Sequence, residues 1–293
     1  MSISTYLSAV FKHFRSYVDE NSNDICKLSD LTYQGANQPD YEDEQVQELY
    51  ILRFTFSYAF EYKSMYAEIL ARYQGYRQLK ILSFGCGPMT DYWGLTEALI
   101  NDSHGIDTDH IDYIGIDCVD WKHKFLNGFP VGYQFIKSGM TEYIRKNDIS
   151  DTDILFFPKS ICEIDNIKRF CAALRRQNFS KNKITMGISL RSEKYHQTAD
   201  AEYIDDVTAA FCAAGYTVSE SIPFSYDESK GIRALDKSFA YPDDILEYIA
   251  QLRDKCSEAD TCEWECRGSL NRKPILTAGY INYQIIVLER NQT

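Results

Sequence analysis

Leu79-Lys80-Ile81-Leu82-Ser83-Phe84-Gly85-Cys86-Gly87-Pro88 is the stretch that decides the fold. Leu79 to Phe84 is a short apolar run of strand length, and two glycines in a G-x-G spacing follow at once. Glycine at these positions lets the chain turn tightly and lets a ligand lie against bare backbone. A helix over residues 90–100 opens behind the turn. The unpaired N–H groups at its start suit an anionic group. Strand, glycine turn and helix together form the entry unit of an open α/β sheet that binds ligands at its strand ends.

The chain on either side extends this reading. Tyr113–Ile116, Tyr133–Ile136, Ile154–Phe157 and Ile184–Ile188 are further short runs rich in Ile, Phe and Tyr. Helical patterns occupy 90–100, 121–127, 140–147, 163–177 and 199–214. Such alternation predicts a parallel sheet with helical crossovers. Tyr216–Ser221 is another strand, and Tyr280–Leu288 is a closing β-rich run with no helix after it. Between them lies a polar insertion, 223–277, with one helix near Asp243–Lys255. Upstream, Tyr6, Leu7, Val10, Phe11 and Phe14 recur at helical steps within residues 1–20. Residues 21–43 read as a loop. A long helix then runs from Glu42 to Tyr73 without Gly or Pro, and Gly75 marks its end. The expected division is an N-terminal helical cap, 1–76, and a Rossmann-like domain, 77–293, carrying the insertion.

Composition sets bounds on function. Of 293 residues, 44% are hydrophobic and 25% charged, which describes an ordinary globular chain rather than a disordered one. The formal net charge of -12 argues against a nucleic-acid footprint, while leaving room for a local basic patch. There is no apolar run of about 18 residues to span a bilayer, and Met1–Arg15 does not read as a secretory leader. Nine cysteines, an odd and irregularly spaced set, fit a reducing, cytoplasmic setting. Cys256, Cys262 and Cys266 lack a fourth ligand and the usual C-x2-C spacing, so no metal site is expected there.

Tyr113-Ile114-Gly115-Ile116-Asp117 carries the second signal. An acidic residue at the end of the strand after the glycine turn suits the hydroxyls of an adenosine ribose. The long spacing from Gly87 to Asp117 is absorbed by a polar loop over 101–110. The structural alternative is that Asp117, or Asp120 in competition with it, caps the turn ahead of Trp121. A dinucleotide fingerprint would place its third glycine at Thr90, and that glycine is absent. This counts against an NAD-dependent dehydrogenase.

Taken together, "ILSFGCGP" and "YIGID" resemble motifs one and two of the class I S-adenosylmethionine-dependent methyltransferases. The resemblance covers residues 78–222 and the last strand. It implies a seven-stranded, mostly parallel sheet whose last strand is antiparallel, with S-adenosylmethionine as cofactor. By position, Gly85, Cys86 and Gly87 would pass the methionyl part and Asp117 would hold the ribose. Met140 and Thr141 would lie near the adenine, and Ser83, together with Pro158 at the end of the fourth strand, is counted with them as a candidate cofactor-binding residue. The family often has an acidic residue where this chain has Ser83, so the cofactor's amino group needs another partner. The implied reaction is methyl transfer to an N or O nucleophile. The charge favours a small-molecule acceptor over RNA or DNA. A non-catalytic cofactor-binding module within an assembly is the rival from outside enzymology.

The fourth-strand turn, Ile154 to Glu163, lacks the Asn/Asp-Pro-Pro-aromatic motif of nucleic-acid amino-methyltransferases. Ser160 and Glu163 read as a capping box. Lys159 would neutralise an anionic acceptor or face water. Tyr50, Phe54, Tyr58, Tyr62 and Tyr66 recur every four residues along the long helix. Such a stripe is usually core; its functional alternative is a lid whose rings attract the sulfonium. Lys159, Tyr58 and Tyr62 are the candidate catalytic residues. The acceptor pocket is expected between the N-terminal helices and Pro158–Glu163.

Overall fold

The computed structural model describes residues 2–23, 25–31, 39–101, 106, 108–125, 131–191, 194–225, 240–257 and 270–291. Packing separates the chain into two compact units. The first comprises the described residues within 1–58, 121–125 and 232–278; the second those within 59–120, 126–231 and 279–293. This differs from a cut at residue 76. The long helix contributes to both units, and most of the insertion's described residues group with the N-terminal helices rather than with the sheet.

The sheet unit holds β1 (Leu79–Phe84), β2 (Ile111–Asp117), β3 (Gly132–Lys137), β4 (Ile154–Pro158), β5 (Lys183–Ser189), β6 (Tyr216–Ser225) and β7 (Asn282–Arg290). They form a seven-stranded sheet in the order β3-β2-β1-β4-β5-β7-β6. β1 pairs in parallel with β2 and β4, β2 with β3, and β4 with β5. β7 runs antiparallel to both of its neighbours, β5 and β6. The sheet is therefore mixed and mostly parallel, with an antiparallel last strand, as the resemblance implies.

Burial follows position. β1, β4 and β5 are buried nearly throughout, whereas the edge strands β3 and β6 are largely exposed. Continuous apolar runs are what a parallel strand needs when both its faces are covered. One cluster joins Leu82, Phe84, Leu155, Phe157, Met186 and Ile188 of the sheet to Ile144, Phe170 and Phe211 of the helices.

The helices are α1 (Ile3–Glu20), α2 (Glu44–Leu70), α3 (Thr90–Asn101), α4 (Met140–Lys146), α5 (Ile167–Leu174), α6 (Lys194–Ala213) and α7 (Asp243–Ala250). Ser2 caps α1 by accepting from Thr5 N at 3.2 Å. α1 buries Ile3, Tyr6, Leu7, Val10, Phe11, Phe14 and Val18 on one face, the period read from the sequence. No helix among the described residues is long and apolar enough to cross a membrane.

Three local expectations need correction. Residues 121–125 form no helix; the remaining members of that predicted segment lie outside the described residues. The helix expected over 163–177 is shorter, because Asn166 accepts from Arg169 N at 3.0 Å and starts α5 there. The 21–43 loop contains a short 3-10 helix, Ile25–Asp30.

Candidate functional site

The site is built where β1, β2 and β4 end side by side. The chain leaves β1 through Gly85 and Gly87, both left-handed, with φ of 71° and 55°. Gly85 N and Cys86 N donate to Ile116 O at 2.7 and 3.2 Å, stitching the turn to the end of β2. A Cβ on Gly85 would sit 2.6 Å from the Ser160 Cβ and 3.0 Å from the Met140 methyl. The turn is therefore closed from behind by the β4 turn and by α4. Only a residue without a side chain fits. The Cys86 sulfur points inward and packs against Gly115, so the backbone rather than the side chain of Cys86 is offered at this turn.

Asp117 is the second element. It is buried, with 8% of its surface exposed. Its Oδ2 accepts from Gly87 N at 2.8 Å and its Oδ1 from Val119 N at 2.8 Å. One carboxylate thus braces the glycine turn and closes its own Asx turn. The structure brings Gly85, Cys86, Gly87 and Asp117 together at adjacent strand ends.

The remaining predicted residues divide by position. Met140 and Thr141 open α4, both buried, and Thr141 N donates to Asp165 Oδ1 at 3.2 Å. Pro158 ends β4. Ser160 makes no capping box: its hydroxyl donates to Phe84 O at 2.5 Å, on the far side of the glycine turn, and Glu163 pairs with Arg191. The reason is proximity. The β4 end lies against the β1 end, and the Phe84 carbonyl takes the hydroxyl, so the 3-10 turn Ile161–Glu163 starts without a side-chain cap.

Lys159 follows β4 in a left-handed conformation, φ 59°, unusual for a residue with a side chain. Its ammonium lies 3.0 and 2.8 Å from the two carboxylate oxygens of Glu61, and also donates to Leu190 O at 2.6 Å. Glu61 is fully buried and also accepts from the Ser189 hydroxyl at 2.8 Å. Burial pushes its carboxyl above the ordinary range, and Lys159 opposes that rise. Lys159 is therefore anchored inside the sheet unit rather than facing water. Tyr62 is buried edge-on against Phe156, and Tyr66 stacks on the same ring at 4.4 Å. These two stripe members are core. Tyr58 is half-buried and stacks on Phe54 at 5.8 Å. Cys256 is a buried free cysteine, while Cys262 and Cys266 lie outside the described residues.

Sequence reasoning missed Asp91. It occupies the first turn of α3 with no exposed surface. The Tyr113 hydroxyl reaches both its oxygens at 2.9 Å and the Tyr66 hydroxyl reaches one at 3.3 Å. Ser83 is buried beside it. A buried acidic group thus lies beside Ser83, in the first turn of α3. Burial pushes the Asp91 carboxyl from 3.8 up to about 6, against the opposing effect of its hydrogen-bond donors.

That shift makes a prediction. The folded chain binds this proton more tightly than the unfolded one, so the contribution is full below about pH 4 and is lost as pH rises through about 6. The displacement corresponds to about 3 kcal/mol. Denaturant unfolding at pH 4 to 7.5 is expected to show the wild type losing stability relative to Asp91→Asn by up to that amount. Parallel curves for the two proteins would mean that Asp91 titrates at its ordinary value.

No family model and no curated protein matches the chain. Solved structures of similar fold do. One is a 1,6-didemethyltoxoflavin-N1-methyltransferase from Burkholderia thailandensis with 1,6-didemethyltoxoflavin and S-adenosylhomocysteine bound. It is 11% identical, with 79% of each chain covered and a TM-score of 0.40. Another is a SAM-dependent methyltransferase from Geobacter sulfurreducens in complex with S-adenosyl-L-homocysteine, 12% identical over 77% of this chain and 90% of that one, TM-score 0.39. A spermidine synthase from Thermotoga maritima is 10% identical over 79% of this chain and 60% of its own, TM-score 0.40. At such identities and TM-scores these likenesses decide nothing about chemistry.

Proposed function

We propose that this chain binds S-adenosylmethionine at the joined ends of β1 and β2 and transfers its methyl group to an N or O nucleophile, with a small molecule as acceptor. The observation that carries this reading is the pairing of a left-handed glycine turn with a carboxylate at the end of the neighbouring strand, Gly87 N donating to Asp117 Oδ2 at 2.8 Å. The donor set fits the cofactor's parts. An acidic side chain at the end of β2 suits a ribose diol, and the glycine turn presents backbone with no side chain in the way. Met140, Thr141 and Pro158 are proposed to flank the adenosyl group. Bound there, the cofactor supplies an electrophilic methyl on a sulfonium. The protein's task is to position the acceptor and keep water out.

Lys159 and Tyr62 enter this proposal through shape. The Lys159–Glu61 pair fixes the turn after β4, and Tyr62 backs the Phe156 ring beneath it. Tyr58, half-buried on α2, stacks on Phe54 within the unit of N-terminal helices and has no part in this proposal.

Calorimetric titration tests the reading. S-adenosylmethionine or S-adenosylhomocysteine is expected to bind, and NAD is not. Asp117→Ala is expected to weaken binding by about 1–3 kcal/mol, the range for hydrogen bonds to a charged group. Binding of NAD alone, or an unchanged affinity in Asp117→Ala, would sink the assignment. Methyl transfer to small-molecule pools, followed with a labelled methyl group, then identifies the acceptor.

A further inference from the structure

A second group of chemically capable side chains lies within the unit of N-terminal helices and does not belong to the site above. Glu44 and Glu48 stand one helical turn apart on the same face of α2. His123, on the non-helical segment 121–125, directs Nε2 to Glu48 Oε1 at 2.8 Å. One donor atom from each of the three residues lies within 4.8 Å of the other two. Ligands held 2.0–2.2 Å from a zinc ion lie roughly 3.0–3.6 Å from one another, so small side-chain rotations bring this set onto one cation. A second imidazole, His13 on α1, has its ring centroid 5.2 Å from that of His123.

The segment bearing His123 is pinned rather than loose. Tyr6 of α1 donates its hydroxyl to the His123 carbonyl. Lys122 N donates to the Gln47 side chain at 2.9 Å. Trp121 packs against Tyr41 and Tyr50, and Phe125 against Tyr6. Glu48 is 1% exposed. A carboxylate held that deep needs a counter-charge or a strong donor.

We infer that Glu44, Glu48 and His123 form a binding site for a first-row divalent cation, Zn2+ or Mn2+, with His13 placed to complete it. One imidazole with two carboxylates is a donor set for such ions, whereas the heavier calcium sites rely on oxygen alone. Lys122 pairs with Glu44, and its side chain is half exposed. Its ammonium neutralises Glu44 when no cation is bound and can swing into water when one arrives. Binding ties α1, α2 and segment 121–125 together. This inference does not depend on the methyltransferase reading.

The test uses the full chain, stripped with a chelator and desalted, then titrated calorimetrically with ZnCl2 and with MnCl2. One equivalent of at least one of these ions is expected per chain. His123→Ala and Glu48→Gln are each expected to weaken that binding at least tenfold. Lys122→Met, which removes the competing ammonium from an exposed position, is expected to tighten it several-fold. Absence of saturable binding by the wild type overturns the site. So does binding that survives both His123→Ala and Glu48→Gln, because the cation would then sit elsewhere, for example at the cysteines near Cys256. If those two variants unfold, Lys122→Met decides alone, and an unchanged or weaker affinity there overturns the site.

Discussion

Replacing Glu61 with alanine is expected to lower the unfolding free energy of the sheet unit by about 3–5 kcal/mol, the cost of stranding one member of a buried ion pair. Glu61 has no exposed surface, and both its carboxylate oxygens lie within 3.0 Å of the Lys159 ammonium. The variant would leave that ammonium buried without its carboxylate. It would also remove the acceptor of the Ser189 hydroxyl. The loss should appear in denaturant unfolding as a lower midpoint with an unchanged slope. Replacing both partners together, Glu61→Leu with Lys159→Met, is expected to recover most of it, since two apolar groups of similar volume carry no desolvation cost. A loss below about 1 kcal/mol in the single variant would place the pair with ordinary surface bridges.

Gly85→Ala is expected to be the second severe change. The new methyl would lie 2.6 Å from the Ser160 Cβ, in a backbone conformation of φ 71° that disfavours side chains. Strain of this kind plus overlap in a packed interior amounts to about 2–4 kcal/mol. The turn would be pushed off the Ile116 carbonyl that holds it, so S-adenosylhomocysteine affinity should fall along with stability. The overlap is with Ser160 in particular. Adding Ser160→Gly should therefore restore part of the stability, a coupling that two independent sites would not show. Equal losses in the single and double variants would mean that strain alone decides.

The sheet was legible in the sequence because its strands are short apolar runs separated by helical periods. Both strand-end signals, Gly85–Gly87 and Asp117, were legible because they combine a residue type with a position after a strand. Asp91 was not, since an aspartate in the first turn of a helix normally serves the helix dipole from the surface. Glu61 was hidden in the same way, as one charged residue among many in a long helix. What buries it is the end of β5, a neighbour far away in the chain. Ser160 and Glu163 matched a local pattern, S-x-x-E, but each found a non-local partner instead, Phe84 O and Arg191. The segment around His123 has helical spacing, yet it is held open by Tyr6, Gln47 and the aromatic rings of Tyr41 and Tyr50. In each case a tertiary contact outweighed a local preference.

The position of β7 bears on the order in which the sheet assembles. β6 sits at the edge, and among the described residues its only sheet partner is β7. Residues 226–281 intervene between the two strands. β6 therefore gains no ladder until that length of chain has been closed and β7 has found its slot beside β5. The β1–β2 contacts close over a shorter span, residues 85–110, and bury more apolar surface, so they are expected to be native-like first. Bonds along the β6–β7 edge then form after the main barrier. Weakening them should leave the refolding rate almost unchanged and show itself as faster unfolding.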